Sequence, residues 1–367
     1  MNAFTNLPGP FAWWGRLLYR RRWTVVVLWL MILIAAVPAL PRVASRLRAG
    51  GFADDRLPSL RAQQTLERQL GISSNVIAVF YRSARPYAEP EVRVAVAQSL
   101  QRLSGLPQVQ SAIPPDLNSR QIGRSGRTAY ALVTLAGKAE DSLGLLPVLE
   151  QRAAVAPLAD GTPVETLIAG GASFFRDLQE ETERDLRRAE LITVPVAGIA
   201  LALVFGSLAA AALPVVAGAA TAALGLAGIY ALSFATDLSI FALNLASMLA
   251  LGLGTDYALF LVSRFREELA EQGDTGRAVE VTVATAGRAV FFSAGTVLVG
   301  LTGLVAFRFM LLRSLGLAGI VAAGAAVAAA LGLLPAILAI VGPRVNALAI
   351  RRKSPLPQPL SHKRRGG

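Results

Sequence analysis

The residues best suited to chemistry are Asp256 and Tyr257, which close the run Gly252-Leu253-Gly254-Thr255-Asp256-Tyr257. The run lies in the fourth of six apolar stretches, where an ionisable side chain costs roughly 2.5–3.5 kcal/mol on insertion scales. Asp256 sits about seven residues from the C-terminal end of its stretch, roughly 10 Å deep at 1.5 Å per residue. A carboxyl at that depth must face protein or water. Two readings follow. Burial disfavours the charged form of a carboxyl, which suits a group that takes a proton from one side and returns it to the other. Alternatively, the aspartate ties two helices together by hydrogen bonds. Tyr257 can donate to a carboxylate on a facing helix, and Gly252 and Gly254 allow helices to approach closely.

Other polar residues lie nearby in the chain. Ser293 and Thr296, one turn apart in the fifth stretch, can support a relay carboxylate or simply bond back to their own helix carbonyls. Asn244 and Ser247 lie three residues apart toward the other end of the fourth stretch, where they can extend a polar track or serve packing. Asp237, in the preceding short loop, reads as a helix cap or a solvated residue. The chain has no cysteine, and its one histidine, His362, lies in a basic tail, so no metal site is expected. No Walker lysine or Gly-rich nucleotide loop is present, so no cofactor is expected.

These residues depend on apolar helices to position them. Of the 367 residues 54% are hydrophobic and 16% charged, and the mean hydropathy is +0.51, far too apolar for an ordinary soluble enzyme. Spans are expected at 24–41, 191–207, 209–234, 238–263, 289–307 and 314–342, each near the roughly 20 residues that cross a bilayer. The first follows Arg16, Arg20, Arg21 and Arg22 and the tryptophans Trp13, Trp14 and Trp23. A cleaved signal peptide is the rival reading of that stretch, and the polytopic remainder favours a retained helix.

The net charge of +12 is concentrated around the spans. Residues 42–187 carry 18 basic and 16 acidic residues, so the excess belongs to the short connecting segments. That bias fits the positive-inside rule, predicts both termini in the cytoplasm, and argues against a nucleic-acid partner.

Residues 42–190 must form an external domain. Alternation and turn signals predict helix 59–70, strand 75–81, helix 89–103, strand 108–113, strand 128–135, helix 141–155 and strand 163–169. The βαββαβ order is that of a ferredoxin-like α+β unit, with one sheet face burying two helices and the other left open. A charged helix over 173–188 should feed the second span. Residues 264–288 read as two short amphipathic helices, broken at 273–276, along the membrane surface. The Pro-rich basic tail 343–367 reads as disordered.

The segments GLGTDYALFLVSRFREEL, GRAVFFSAGTVLVGLTGL and GLLPAIL resemble the MMPL family, the mycobacterial-membrane-protein-large branch of the resistance/nodulation/division transporters. The resemblance covers nearly the whole chain and implies one half-repeat: one span, an external ferredoxin-like porter domain, then five spans. It implies an inner-membrane, multi-pass protein that exports lipids or other hydrophobic molecules. Protons passing through the fourth-span pair, here Asp256 and Tyr257, would drive that export. Full-length members carry two such halves with facing Asp-Tyr pairs, and no second pair occurs here. A homodimer or a separate chain is then expected to supply the other half, unless the chain is a truncated remnant. Two other classes compete. Gly252 to Asp256 comes within one inserted residue of the Gly-x-Gly-Asp of intramembrane aspartyl proteases, but no second deep carboxylate is available to pair with it. A non-transporting lipid-binding or accessory subunit is the stronger alternative.

Overall fold

A computed structural model describes residues 9–48, 50–51, 57–70, 73–137 and 139–347. The expectation for the basic tail therefore falls mostly outside the described residues. The chain opens with α1 (Pro10–Arg20), α2 (Arg22–Ala36), α3 (Val43–Arg46) and α4 (Pro58–Leu70). Next come β1 (Val76–Ser83), α5 (Pro90–Ser104), β2 (Val109–Ile113), β3 (Thr128–Leu135), α6 (Leu146–Ala153) and β4 (Val164–Gly170). The remainder is helical: α7 (Gly171–Phe205), α8 (Leu208–Leu232), α9 (Phe241–Gln272), α10 (Thr275–Thr282), α11 (Arg288–Val305), α12 (Met310–Ala328) and α13 (Leu334–Val341).

Among the described residues, six helical stretches are long and apolar enough to cross a membrane: Arg22–Ala39, Gly171–Phe205, Leu208–Leu232, Phe241–Gln272, Thr275–Val305 and Met310–Asn346. The protein is a multi-pass membrane protein. α8, α9 and α12 form the centre of the bundle, with α11 packed on α12 and α7 on α8. Small residues permit this packing. A Cβ at Gly316 would come within 3.0 Å of Leu304 Cβ, Val305 N and the Leu301 carbonyl, so α12 can lie close on α11 only because that position is glycine.

The sheet domain is a four-stranded antiparallel sheet of order β2-β3-β1-β4. Strict alternation sends Ile77, Val79 and Tyr81 of β1 and Ala129, Ala131, Val133 and Leu135 of β3 into one core with Val92, Val96, Leu100 and Leu103 of α5 and Leu149 and Ala153 of α6. The opposite face stays partly open, with Phe80 packed at a tilt of 39° against its cross-strand partner Tyr130, 5.4 Å between ring centroids.

Three features sharpen the sequence expectation. The charged helix over 173–188 and the second span form a single 35-residue helix, α7, because no breaker interrupts the charged run and a membrane helix tolerates Pro195. Residues 264–288 do break at Gly273, within the expected 273–276, but the two pieces are continuous with α9 and α11 rather than separate short helices. α9 continues to Gln272, held by Arg264 pairing with Glu267 and Glu268, and reverses at Gly273, whose φ of 70° suits a helix-terminating glycine. Asp274 then caps α10 by accepting from the Gly276 and Arg277 N–H groups, and α10 runs through a π-helical turn, Val283–Gly287, into α11. Finally, the N-terminal flank contains α1, an amphipathic helix whose buried Ala12, Gly15 and Leu18 recur every three residues.

A second π-helical turn, Ala329–Leu333, joins α12 to α13 just ahead of Pro335. Proline has no N–H to return to the Leu331 carbonyl. The Trp14 indole N–H donates to that carbonyl instead, at 2.9 Å.

Candidate functional site

α9 carries the site and is apolar nearly all round, so the bundle decides which face is buried. Gly254 lies inside: a Cβ there would meet Thr221 Oγ1 at 2.6 Å and Gly218 Cα at 3.0 Å on α8. The Thr255 side chain lies over Gly218 in the same contact, so Gly218, Gly254 and Thr255 set the α8–α9 distance. Tyr257, Ala258 and Leu261 are buried next to them. Gly252 has open space where its Cβ would stand, and Asp256 is exposed one turn further on. With Met248 (60% exposed) and Phe260 (50% exposed) they form a stripe of four residues at i, i+4 spacing on the outside of the bundle. Asp256 makes no hydrogen bond or ion pair among the described residues.

The Tyr257 hydroxyl is buried and makes no hydrogen bond within 3.5 Å among the described residues, Ser293 being its polar neighbour. It borders a cleft of about 200 Å³ between α9 and the start of α11, lined also by Phe260, Ala289, Val290 and Ser293. Ser293 is the other polar side chain of that cleft. Thr296 is exposed, and its Oγ1 donates back to the Phe292 carbonyl at 3.2 Å. Asn244 is half-buried three turns away toward the sheet end, roughly 18 Å along the helix, so it does not join this cleft. Ser247 Oγ donates to the Asn244 carbonyl at 3.0 Å, and Asp237 forms an exposed ion pair with Arg48 at 3.3 Å. Among the described residues no cluster of three or more His, Asp or Glu side chains could hold a metal ion.

The ends of α9 are tied down by residues that the sequence reading did not single out. At the sheet end, the Arg48 N–H donates to the Leu238 carbonyl and the Ile240 N–H donates to the Arg48 carbonyl, both at 2.9 Å. Buried Ser239 donates its Oγ to the Gly50 carbonyl and its N–H to Ser314 Oγ. At the far end, Arg266 donates to the Phe205 carbonyl and to Asn346 Oδ1, each at 2.8 Å, closing the last turn of α7. No local motif marks these contacts, because each joins segments remote in sequence.

A membrane carboxylate on an open helix face beside a buried phenol is the arrangement to set against known proteins. The model of the MMPL family matches residues 52–357. This chain belongs to the MMPL family. MMPL members are transporters rather than enzymes. The chain is similar to a putative membrane protein, SCO6666, of Streptomyces coelicolor, at 34% identity over 338 residues, covering 89% of this chain and 46% of that protein. It is 31% identical over 362 residues to the trehalose monomycolate exporter MmpL3 of Mycobacterium tuberculosis, covering 93% of this chain and 36% of that one. It is also 30% identical over 330 residues to the mycolic acid-containing lipids exporter MmpL11 of Mycolicibacterium smegmatis, covering 89% and 34%. The chain thus spans less than half the length of these curated MMPL relatives.

Proposed function

We propose that this MMPL chain takes part in exporting lipids or other hydrophobic molecules across a bacterial inner membrane, driven by protons that pass through Asp256 and Tyr257. Relatives named as lipid exporters support the substrate class. The observation that carries the relay is the exposed, unpartnered Asp256 beside the buried Tyr257 hydroxyl. A carboxylate turned to hydrocarbon costs roughly 2.5–3.5 kcal/mol, so the stripe Met248, Gly252, Asp256 and Phe260 faces protein in the working assembly. A second half, from a homodimer or another chain, supplies that protein, with Gly252 admitting a close helix. Ser293 orders the proton path from its side of the cleft.

The sheet domain is the porter domain of this assembly, a ferredoxin-like unit on the external side. Its strand order and its two helices on one face support that reading, and its open face is available to substrate or to the second half. The arginines at the sheet-distal end, among them Arg16, Arg20, Arg264, Arg266 and Arg277, support a cytoplasmic position for that end and for both termini.

The experiment is lipid release from proteoliposomes under an imposed pH gradient, comparing the protein with Asp256→Asn. Gradient-dependent release that the variant loses, with lipid binding retained, supports transport. Release without a gradient requirement, or no release with binding intact in both proteins, identifies a lipid-binding subunit instead.

A further inference from the structure

At the sheet-distal end of the bundle, α1 lies against α10 so closely that Gly15 touches the Glu280 backbone: a Cβ there would sit 3.0 Å from Glu280 Cα. Between the two helices opens a cavity of about 300 Å³ lined by Arg16, Tyr19, Arg20, Asp274, Arg277 and Glu280. Its carboxylates are already engaged. Glu280, with a side chain 9% exposed, accepts from Arg16 at 2.7 Å and pairs with Arg277 at 3.3 Å. Asp274 is taken up by the backbone N–H groups of Gly276 and Arg277. Arg20 is exposed and forms no ion pair among the described residues. Three guanidinium groups and a phenol therefore line a space with two acids; Glu280 is shared by Arg16 and Arg277, which leaves one net positive charge in the lining, carried at exposed Arg20. Trp13, Trp14 and Trp23, which are 57%, 38% and 64% exposed, lie within a few residues of Arg16 and Arg20 in the sequence, and exposed tryptophans at the end of a spanning helix mark headgroup depth.

We propose that this cavity binds the phosphate of an anionic phospholipid. Basic pockets between helices at the membrane surface suit such headgroups, and planar guanidinium groups match phosphate oxygens. Occupancy would hold α1 on the bundle, where Gly15 rests on Val283 of one π-helical turn and Trp14 donates to Leu331 of the other.

The four tryptophans of the chain, Trp13, Trp14, Trp23 and Trp29, all lie in α1 and α2, so intrinsic fluorescence reports on this region alone. The full chain in phosphatidylcholine nanodiscs is titrated with brominated phosphatidylglycerol or brominated phosphatidylcholine, and quenching is read. Phosphatidylglycerol should quench at a lower mole fraction. Arg20→Gln should shift its midpoint upward about fivefold, while Arg21→Gln, which removes an exposed charge outside the cavity, should shift it less than twofold. Because Arg20 is exposed, its replacement does not endanger folding. Equal quenching by the two lipids, or equal shifts in both variants, would overturn the proposal. Protection by inorganic phosphate with no preference for phosphatidylglycerol would assign the cavity to free phosphate and overturn the lipid reading.

Discussion

Asp256 and Tyr257 are consecutive in α9, yet the carboxyl stands on the open face of the bundle while the phenol is buried, its hydroxyl making no hydrogen bond within 3.5 Å among the described residues. A step of one residue turns about 100° around a helix at 3.6 residues per turn, enough to put the two groups in different surroundings while keeping them adjacent. The proposed relay needs this division: one group meets the facing half, and the other borders the cleft shared with Ser293.

The open stripe can be tested directly because the chain contains no cysteine. Gly252 has room for a side chain. If a second copy supplies the facing half, Gly252→Cys protein in membranes should run as a disulfide-linked dimer after mild oxidation. A control cysteine at Ala258, which is buried in the bundle, should stay monomeric. A monomeric Gly252→Cys band assigns the stripe to a different chain.

The two glycines of the motif should respond oppositely to added bulk. Gly254→Val forces a side chain into Thr221 and Gly218, and overpacking of this kind costs about 1–3 kcal/mol. Its melting midpoint in detergent should fall by about 5 °C. Gly252→Ala should melt within about 1 °C of the parent, so equal losses in both would contradict the orientation of α9.

Trp14 and Pro335 should be thermodynamically coupled. Trp14→Phe removes the donor to the Leu331 carbonyl and should cost about 1 kcal/mol in unfolding free energy. Pro335→Ala returns a backbone N–H to the same carbonyl, so Trp14→Phe should cost much less in that background. A double-mutant cycle measures the difference, and an additive result would mean that the indole does not substitute for the missing amide.

High pH should destabilise the sheet domain through Tyr81. Its hydroxyl is buried against Ser99 Oγ at 3.0 Å, and burial pushes its pKa up to about 12 from the ordinary 10. The folded-state value is raised, so the stabilisation is complete below pH 10 and is lost as pH rises toward 12. Two units correspond to roughly 2–3 kcal/mol. Circular-dichroism melts between pH 9 and 12 should show a steep loss, and Tyr81→Phe should flatten it.

Some of this fold could be read in the sequence for physical reasons. The strand NVIAVFY alternates and its inward residues Ile77, Val79 and Tyr81 are buried, because a period of two leaves one solution once a face is covered. The six spans follow from length and composition alone. Other features were hidden. The spanning part of α9 is apolar nearly all round, so periodicity cannot tell Gly252 from Gly254, although two residues place them on nearly opposite faces. The eleven residues of α1 interleave tryptophan, arginine and small residues and resemble an ordinary interfacial flank, and only the packing of Gly15 and Trp14 on distant turns identifies a docked helix. The site was legible as residue types and spacing. Its orientation was not, because orientation depends on which helices surround α9.

Proton movement tests the central claim most directly. The chain is reconstituted in liposomes enclosing a pH-sensitive dye, under an imposed pH gradient, with the assembly partner included if cross-linking shows that one is needed. Proton flux through the protein should drop to the level of empty liposomes in Asp256→Asn and at least tenfold in Tyr257→Phe, with both variants folded by thermal melt. Flux unchanged by Asp256→Asn would contradict the relay and leave Asp256 a structural residue at a helix interface.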